Sequence, residues 1–488
     1  MDYRQLSRVL GYLLLLMAIA MAGCLVYSLF DNEANHCADR ALGVSALFTA
    51  AVGWLLALLG RGGGHEILRR EAIAIVGLGW MISTLFGALP YVLCTPSLSV
   101  AGAIFESASG FTTTGASVMK DVTAWPRGVL LWRATTQWLG GMGILVLIVA
   151  VLSMVGAGSK SLFRRESSAK FSEGFSTRVR ETALRLWQIY VALTAVCTIG
   201  LVVLGMPVFD SVCHTFAAIS TGGFSTRNES IMYYHSPAIE WWLIAFMILG
   251  AINFMLYAWL LVGRWNRWRQ DEETRAFLWI LIGVSLLIAA DIIYFGQADG
   301  WADGFRAAAF QAVSVMTTTG FASADFDQWP NFSRGLLVAL MFIGGCAGST
   351  AGGVKVGRVV VFFKTLRRQM VHSFRPNQII PVRINNVNVS DSYLLDVMFF
   401  LALTGVIVAL ATLAMAVLEP QFSLLSSFTA VAATLFNIGP GLDAVGPMMN
   451  YAGLGAAAHL LLSGLMIMGR LEIFAVLVLF VPLLWRRF

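Results

Sequence analysis

Four strings of similar composition recur along the chain: Phe111-Thr-Thr-Thr-Gly-Ala-Ser117, Ile219-Ser-Thr-Gly-Gly-Phe-Ser-Thr226, Met316-Thr-Thr-Thr-Gly-Phe-Ala-Ser323 and Leu435-Phe-Asn-Ile-Gly-Pro-Gly-Leu442. Aligned on one glycine each, they place Gly115, Gly223, Gly320 and Gly439 at separations of 108, 97 and 119 residues. These residue types suit a cation site built from main chain. Glycine adopts φ > 0 without a Cβ penalty, which lets successive carbonyls turn to one side. Thr hydroxyls add further oxygens. Rings of carbonyl oxygens replace the hydration shell of a monovalent cation. The candidate ligating residues are therefore Thr113, Thr114 and Gly115, then Thr221, Gly222 and Gly223, then Thr318, Thr319 and Gly320, and last Asn437, Ile438 and Gly439. An anion would call for basic side chains, and the strings contain none. The competing reading is close helix packing by small residues. Four strings at matched positions weigh against it.

A fifth glycine-rich stretch, Gly344-Gly-Cys-Ala-Gly-Ser-Thr-Ala-Gly-Gly353, interrupts an apolar run. So many glycines disfavour a continuous helix. Gly344, Gly345, Gly348, Ser349, Thr350, Gly352 and Gly353, with Lys355 just beyond, are candidates for a flexible loop across a conduction path. A stripe of small packing residues is the alternative. The stretch is not a phosphate-binding P-loop, because Val354 and Val356 flank the lysine. Arg470 lies inside the last apolar run, where a lone charge is costly. Its candidate roles are an electrostatic barrier below the loops or a structural ion pair, and helical spacing turns Glu472 away from it. Glu106, Asp121, Glu229, Asp325, Asp327 and Asp443 are candidate outer-face charges that concentrate cations, or ordinary solvated loop residues. The six histidines form no metal-binding pair, and no nucleophile elbow occurs. His214 reads as a satisfied packing residue. Nothing in the sequence points to an enzyme.

The elements that must carry these strings follow from composition. The chain has 488 residues, 58% hydrophobic and only 12% charged, with mean hydropathy +0.75. Soluble domains are about 25% charged, so a soluble enzyme, a disordered scaffold and a disulfide-rich module are excluded. Ten apolar runs are long enough to cross a hydrocarbon core as helices. They lie at 9–30, 42–59, 72–93, 128–151, 186–204, 240–262, 277–295, 335–363, 393–418 and 452–484. The first resembles a signal peptide but continues past Cys24, so it is read as an uncleaved span. The 33 Lys and Arg residues fall mainly on alternate loops, which places both termini in the cytoplasm. That bias explains the net charge of +6 without nucleic acid as a partner. The basic stretches 160–185 and 364–383 fix topology, or dock a partner or lipid headgroups. The six cysteines show no CxxC pairing and read as buried thiols.

Each glycine string sits between two spans, after an apolar segment too short to cross. The unit of span, half-helix, loop and span therefore occurs four times. This predicts an all-α polytopic membrane protein with four repeats around a central pore and two extra N-terminal spans. The corresponding divisions are 1–62 for the extra spans, then repeats at 63–158, 159–270, 271–372 and 373–488, the third with a broken second span. Parallel repeats favour a pore over the alternative, an alternating-access symporter with two inverted halves.

Together with Gly140-Gly-Met-Gly143 and Gly469-Arg-Leu-Glu-Ile-Phe474, these loops resemble the Trk/Ktr/HKT superfamily of potassium-translocating subunits. Within it they look most like the bacterial TrkH type, which has the same two extra spans. The resemblance implies a multi-pass protein of the bacterial cytoplasmic membrane that takes up K+, with no bound cofactor. It also implies a homodimer with one pore per protomer, and a cytoplasmic nucleotide-binding gating subunit of the RCK/TrkA type. The four triplets become a selectivity filter and 344–353 an intramembrane gate. Phe436 departs from the family pattern, where Asn is common.

Overall fold

The computed structural model describes residues 2–31, 36–62, 69–154, 179–378 and 380–485. Among them the chain is mainly helical, with a single short hairpin. It opens with α1 (Tyr3–Phe30), α2 (His36–Leu59), α3 (Arg69–Gly87) and α4 (Leu89–Leu93). A first group then runs through α5 (Val100–Phe111) and α6 (Arg127–Met154), and a second through α7 (Val179–Val203), α8 (Val208–Ile219), α9 (Pro237–Ala251) and α10 (Phe254–Leu261). A short α11 (Trp265–Gln270) leads to α12 (Glu272–Tyr294), α13 (Trp301–Met316), α14 (Asn331–Met341) and α15 (Val356–Phe374). A two-stranded hairpin, β1 (Arg383–Ile384) and β2 (Val387–Asn388), precedes α16 (Asp391–Leu418), α17 (Leu424–Leu435), α18 (Ala456–Arg470), α19 (Phe474–Leu477) and α20 (Pro482–Trp485). Positions 160–178 of the basic stretch lie outside the described residues.

Burial separates two kinds of helix. The long helices α1, α2, α7, α12 and α16 keep large apolar side chains on their outward faces, among them Ile19, Leu47, Ile199, Trp279 and Leu410. This suits a lipid surround, where apolar groups need no cover. The short helices α5 and α17 are buried over nearly their whole length. A helix buried on all sides is interior, so the short helices form the centre and the long ones enclose them.

Six continuous helices are long and apolar enough to cross a membrane, and two bent pairs pass the same test. Of the remaining expected spans, 128–151 falls within α6, and 335–363 is divided between α14 and α15. Two runs expected as single spans are bent instead. The run 240–262 turns by 92° between α9 and α10, and 452–484 turns by 113° after α18. The first bend has a local cause. Ile252 is extended, and Asn253 caps α10 by accepting from the Met255 N–H at 2.9 Å. The main-chain groups freed at the break are taken up by the glycine-rich segment: Cys346 N–H donates to Ala251 O (2.9 Å), Thr350 N–H to Gly250 O (3.2 Å) and Phe254 N–H to Gly348 O (3.1 Å). Non-helical backbone inside a membrane protein persists only where it is satisfied in this way or lines a wet cavity.

Candidate functional site

The four glycine strings adopt one conformation. Each follows a short helix (α5, α8, α13 or α17), and each helix ends in a Schellman closure. At the first, Thr113 N–H donates to Gly110 O (3.0 Å) and Thr114 N–H to Ser109 O (2.9 Å). The same pair recurs with Thr221 and Gly222 on Ala218 and Ala217, with Thr318 and Thr319 on Val315 and Ser314, and with Asn437 and Ile438 on Thr434 and Ala433. The left-handed residue of that closure is usually glycine. Here it is Thr113 (φ 54°), Thr221 (φ 54°), Thr318 (φ 57°) and Asn437 (φ 57°). Asn tolerates this region, whereas a β-branched Thr is strained there, at a cost of about 1–3 kcal/mol each. Two residues on, Gly115, Gly223, Gly320 and Gly439 are again left-handed, at φ 85°, 75°, 80° and 101°.

The loops close into a ring. A Cβ at Gly115 would meet the Gly222 carbonyl oxygen, one at Gly223 that of Thr319, and one at Gly320 that of Ile438. At Gly439 it would meet Thr114 O, 2.7 Å away. Each glycine thus leaves room for the middle carbonyl of the next loop, and the fourth returns to the first. All four glycines line one cavity. Hydrogen bonds beyond the glycines repeat the cycle. Val122 N–H donates to Asn228 Oδ1 (2.8 Å), Ile231 N–H to Ala322 O (3.0 Å), Asp443 N–H to Asp327 Oδ2 (3.0 Å) and Tyr451 N–H to Ser117 O (2.8 Å). Helices α5, α8, α13 and α17 end at this ring, and helix C-termini carry partial negative charge.

A fastening behind the ring escapes sequence reasoning. Glu106, His214 and Gln311 stand nine residues before their glycines, and Thr429 ten before Gly439. Each bonds the chain just past its own glycine. Glu106 accepts from Val118 N–H (2.8 Å) and Ser117 Oγ (3.0 Å), and His214 Nε2 meets Ser225 Oγ (2.9 Å). With its amide oxygen turned to the loop, Gln311 accepts from Ser323 N–H (2.9 Å), while Thr429 Oγ1 accepts from Leu442 N–H (3.1 Å). A polar residue nine or ten positions before the glycine was the available signal.

Glu106 is therefore not an outer-face charge. It is fully buried and paired with Arg133 at 2.6 Å. Arg133, inside the expected span 128–151, is a buried residue of α6; it also donates to Ser225 O (2.9 Å) and stacks on Phe224 (3.5 Å to the ring centre). The pair joins the first and second loops. Gln137, one helical turn along, donates to Gly222 O and accepts from Phe224 N–H (3.1 Å). His214 is a satisfied packing residue, its other nitrogen lying 2.7 Å from Asp210 O. Near the cavity, Asp121 is held below the usual carboxylate range by hydrogen bonds from Thr123 and Asn228. Asp443 is held low by the hydroxyls of Ser423 and Ser426.

The segment 344–353 lies on the helix side of the ring. Gly352 N–H donates to Thr318 Oγ1 (2.7 Å), and Thr350 Oγ1 donates to Gly250 O (2.9 Å) and Ile219 O (3.0 Å). Ser349 Oγ donates to Cys346 O (2.6 Å), and Lys355 Nζ donates to Ala351 O. A Cβ at Gly344 would strike Gly352 O, and one at Gly345 the Ala351 side chain. Gly348 (φ 72°) and Gly353 (φ 68°) are left-handed. The segment is thus an ordered, hydrogen-bonded loop. Arg470 is not mid-helix: it closes α18, and its guanidinium donates to Thr350 O (2.6 Å). Glu472 lies past the helix end at φ 56°, and pairs with Arg358 of α15. Phe436 has a packing role; its ring lies 5.0 Å from Phe342. Among the described residues no His, Cys, Asp or Glu cluster of metal-site form occurs.

Fold and site together define a polytopic α-helical membrane transport protein. Residues 45–486 match the TrkH family, described as cation transport protein, and the chain belongs to that family. It is 36% identical over 502 residues to the Trk system potassium uptake protein TrkH of Halomonas elongata, and 36% identical over 490 residues to that of Escherichia coli K12; each alignment covers 100% of both chains. The crystal structure of the potassium transporter TrkH from Vibrio parahaemolyticus superposes with a TM-score of 0.89 at 32% identity, covering 100% of both chains.

Proposed function

We propose that this chain is the potassium-translocating subunit of a Trk-type uptake system. The observation that carries the proposal is the ring, in which each of four left-handed glycines leaves space for a carbonyl of the next loop. The names of its relatives support potassium as the ion. K+ sheds its water to the carbonyls of Thr113-Thr114-Gly115, Thr221-Gly222-Gly223, Thr318-Thr319-Gly320 and Asn437-Ile438-Gly439. The partial negative ends of α5, α8, α13 and α17 lower the cost of the bare ion. Segment 344–353 is the gate, hydrogen-bonded beneath the ring, with Lys355 and Arg470 holding it through main-chain carbonyls. Arg470 also places a positive charge where an ion would leave the filter.

The distribution of Lys and Arg supports a cytoplasmic-membrane protein with both termini inside. The chain acts as a homodimer in the lipid bilayer, one pore per protomer, and a cytoplasmic nucleotide-binding subunit of the RCK/TrkA type moves the gate. The four repeats divide at 63–158, 159–270, 271–372 and 373–488, after the extra spans of 1–62. Purified protein in liposomes is expected to pass rubidium or potassium down its gradient, and the gene to rescue a potassium-uptake-deficient cell on low potassium. Absence of cation flux with and without the gating subunit refutes the proposal. Removing three residues from 344–353 raises basal flux if that segment is the gate.

A further inference from the structure

The first turn of α12 carries three consecutive acidic residues, Asp271, Glu272 and Glu273, and each is used differently. Asp271 caps the helix, its Oδ2 accepting from Thr274 N–H (2.9 Å), while its Oδ1 accepts from Asn385 Nδ2 (3.0 Å). Asn385 opens the turn of the β1–β2 hairpin. Both turn residues are left-handed, Asn385 at φ 48° and Asn386 at φ 62°, as a two-residue type I′ turn requires. The Asn385 side chain also accepts from Glu272 N–H (2.7 Å), so one amide clasps two residues of α12. Glu272 then pairs with Lys364 of α15, whose ammonium also donates to Arg383 O (2.6 Å) in the hairpin.

Glu273 is buried and points the other way, into the glycine-rich segment. Its Oε1 accepts from Ala347 N–H (2.8 Å), inside the segment, and from Gly357 N–H (2.8 Å), in the first turn of α15. A carboxylate is well placed at a helix N-terminus, and one oxygen here ties that terminus to the loop before it. Gly357 is needed for the approach, because a Cβ there would lie 3.0 Å from that same oxygen.

We infer that Glu273 is a latch for segment 344–353, and that the hairpin at 383–388 sets the latch through Asn385. A displacement of the hairpin moves the first turn of α12, and with it the carboxylate that keeps the segment in place. The inference rests on the reading of 344–353 as a gate, but its first measurement does not. Cys346, fully buried in the segment beside Ala347, reports the segment's position when the other five cysteines are replaced.

In full-length protein reconstituted without a gating partner, Glu273→Ala is expected to speed modification of Cys346 by a small methanethiosulfonate reagent about tenfold or more, since hydrogen bonds to a charged acceptor are lost. Glu273→Gln keeps one carbonyl oxygen for both N–H groups and restores slow modification to within about threefold of the parent. Asn385→Ala, at the turn of the hairpin, gives an intermediate rate; it keeps the test valid should Glu273→Ala fail to fold. Equal Cys346 rates in all variants overturn the latch, as does a Glu273→Gln rate matching Glu273→Ala. Basal rubidium flux rises in parallel if the segment is the gate. Faster modification with unchanged flux upholds the latch and refutes the gate.

Discussion

Gly320→Ala is the sharpest single test of the ring. Gly320 sits at φ 80°, and its added Cβ would strike the Ile438 carbonyl oxygen well inside van der Waals contact, with Pro440 Cδ only 2.9 Å away. Left-handed backbone costs an L-residue about 1–2 kcal/mol. The larger effect is geometric: Ile438 O belongs to the fourth loop and must retreat by on the order of an ångström to a normal contact. A carbonyl that withdraws from the ring replaces the water shed by K+ less well. A loss of about 1.4 kcal/mol in relative binding corresponds to a tenfold fall in the K+ to Na+ preference. The assay is competitive rubidium uptake into proteoliposomes against K+ and Na+, with melting temperature measured on the same preparation. Gly283→Ala, in α12 with nothing within 4 Å of its new Cβ, is the matched control. A folded Gly320→Ala protein with the parental K+ to Na+ ratio refutes the assignment of these loops as the selective element.

Three further tests address the supports of the ring. Removing one partner of the buried Glu106–Arg133 pair, as in Arg133→Met, leaves an unpaired buried charge and should cost about 3–5 kcal/mol; the double variant Glu106→Gln/Arg133→Met should regain much of it, read by thermal unfolding in detergent. Gln137→Leu removes the amide that brackets Gly222 and Phe224, and should lower ion preference with less than about 2 kcal/mol of stability change. Asp443 is held low by Ser423 and Ser426, so the tie between its carboxylate and the start of α17 is complete above the ordinary carboxylate pKa of about 4. That tie fades only as pH falls through the lower folded value. Asp443→Asn should therefore be less stable than the parent near neutral pH, and the difference in melting temperature should close as the parent's own carboxylate is protonated in acid.

Much of this organisation is legible in one dimension. Apolar runs mark the long helices, because hydrocarbon tolerates no exposed charge. The recurrence of glycine marks four turns, because only glycine accepts φ near 80° beside another carbonyl. The fastening by Glu106, His214, Gln311 and Thr429 was present in the spacing but masked by chemistry, since an acid, an imidazole, an amide and a hydroxyl serve one geometric purpose. Glu106 looks like a loop acid until its partner is known, and that partner stands in the next helix, 27 residues on. The bend at Ile252 is less legible still. Its apolar sequence resembles an uninterrupted span, and the break is stabilised by main-chain groups of residues almost a hundred positions later.

The sequence by itself determined the solvent, the helical class and the positions of the turns, since these depend on local residue type and period. Only the tertiary structure decided which loop abuts which, that Arg470 ends a helix on the Thr350 carbonyl, and that Glu273 reaches the glycine-rich segment. Those outcomes depend on backbone groups that every residue carries alike. Their pairing is set by where the folded chain brings them, and residue type leaves no trace of it.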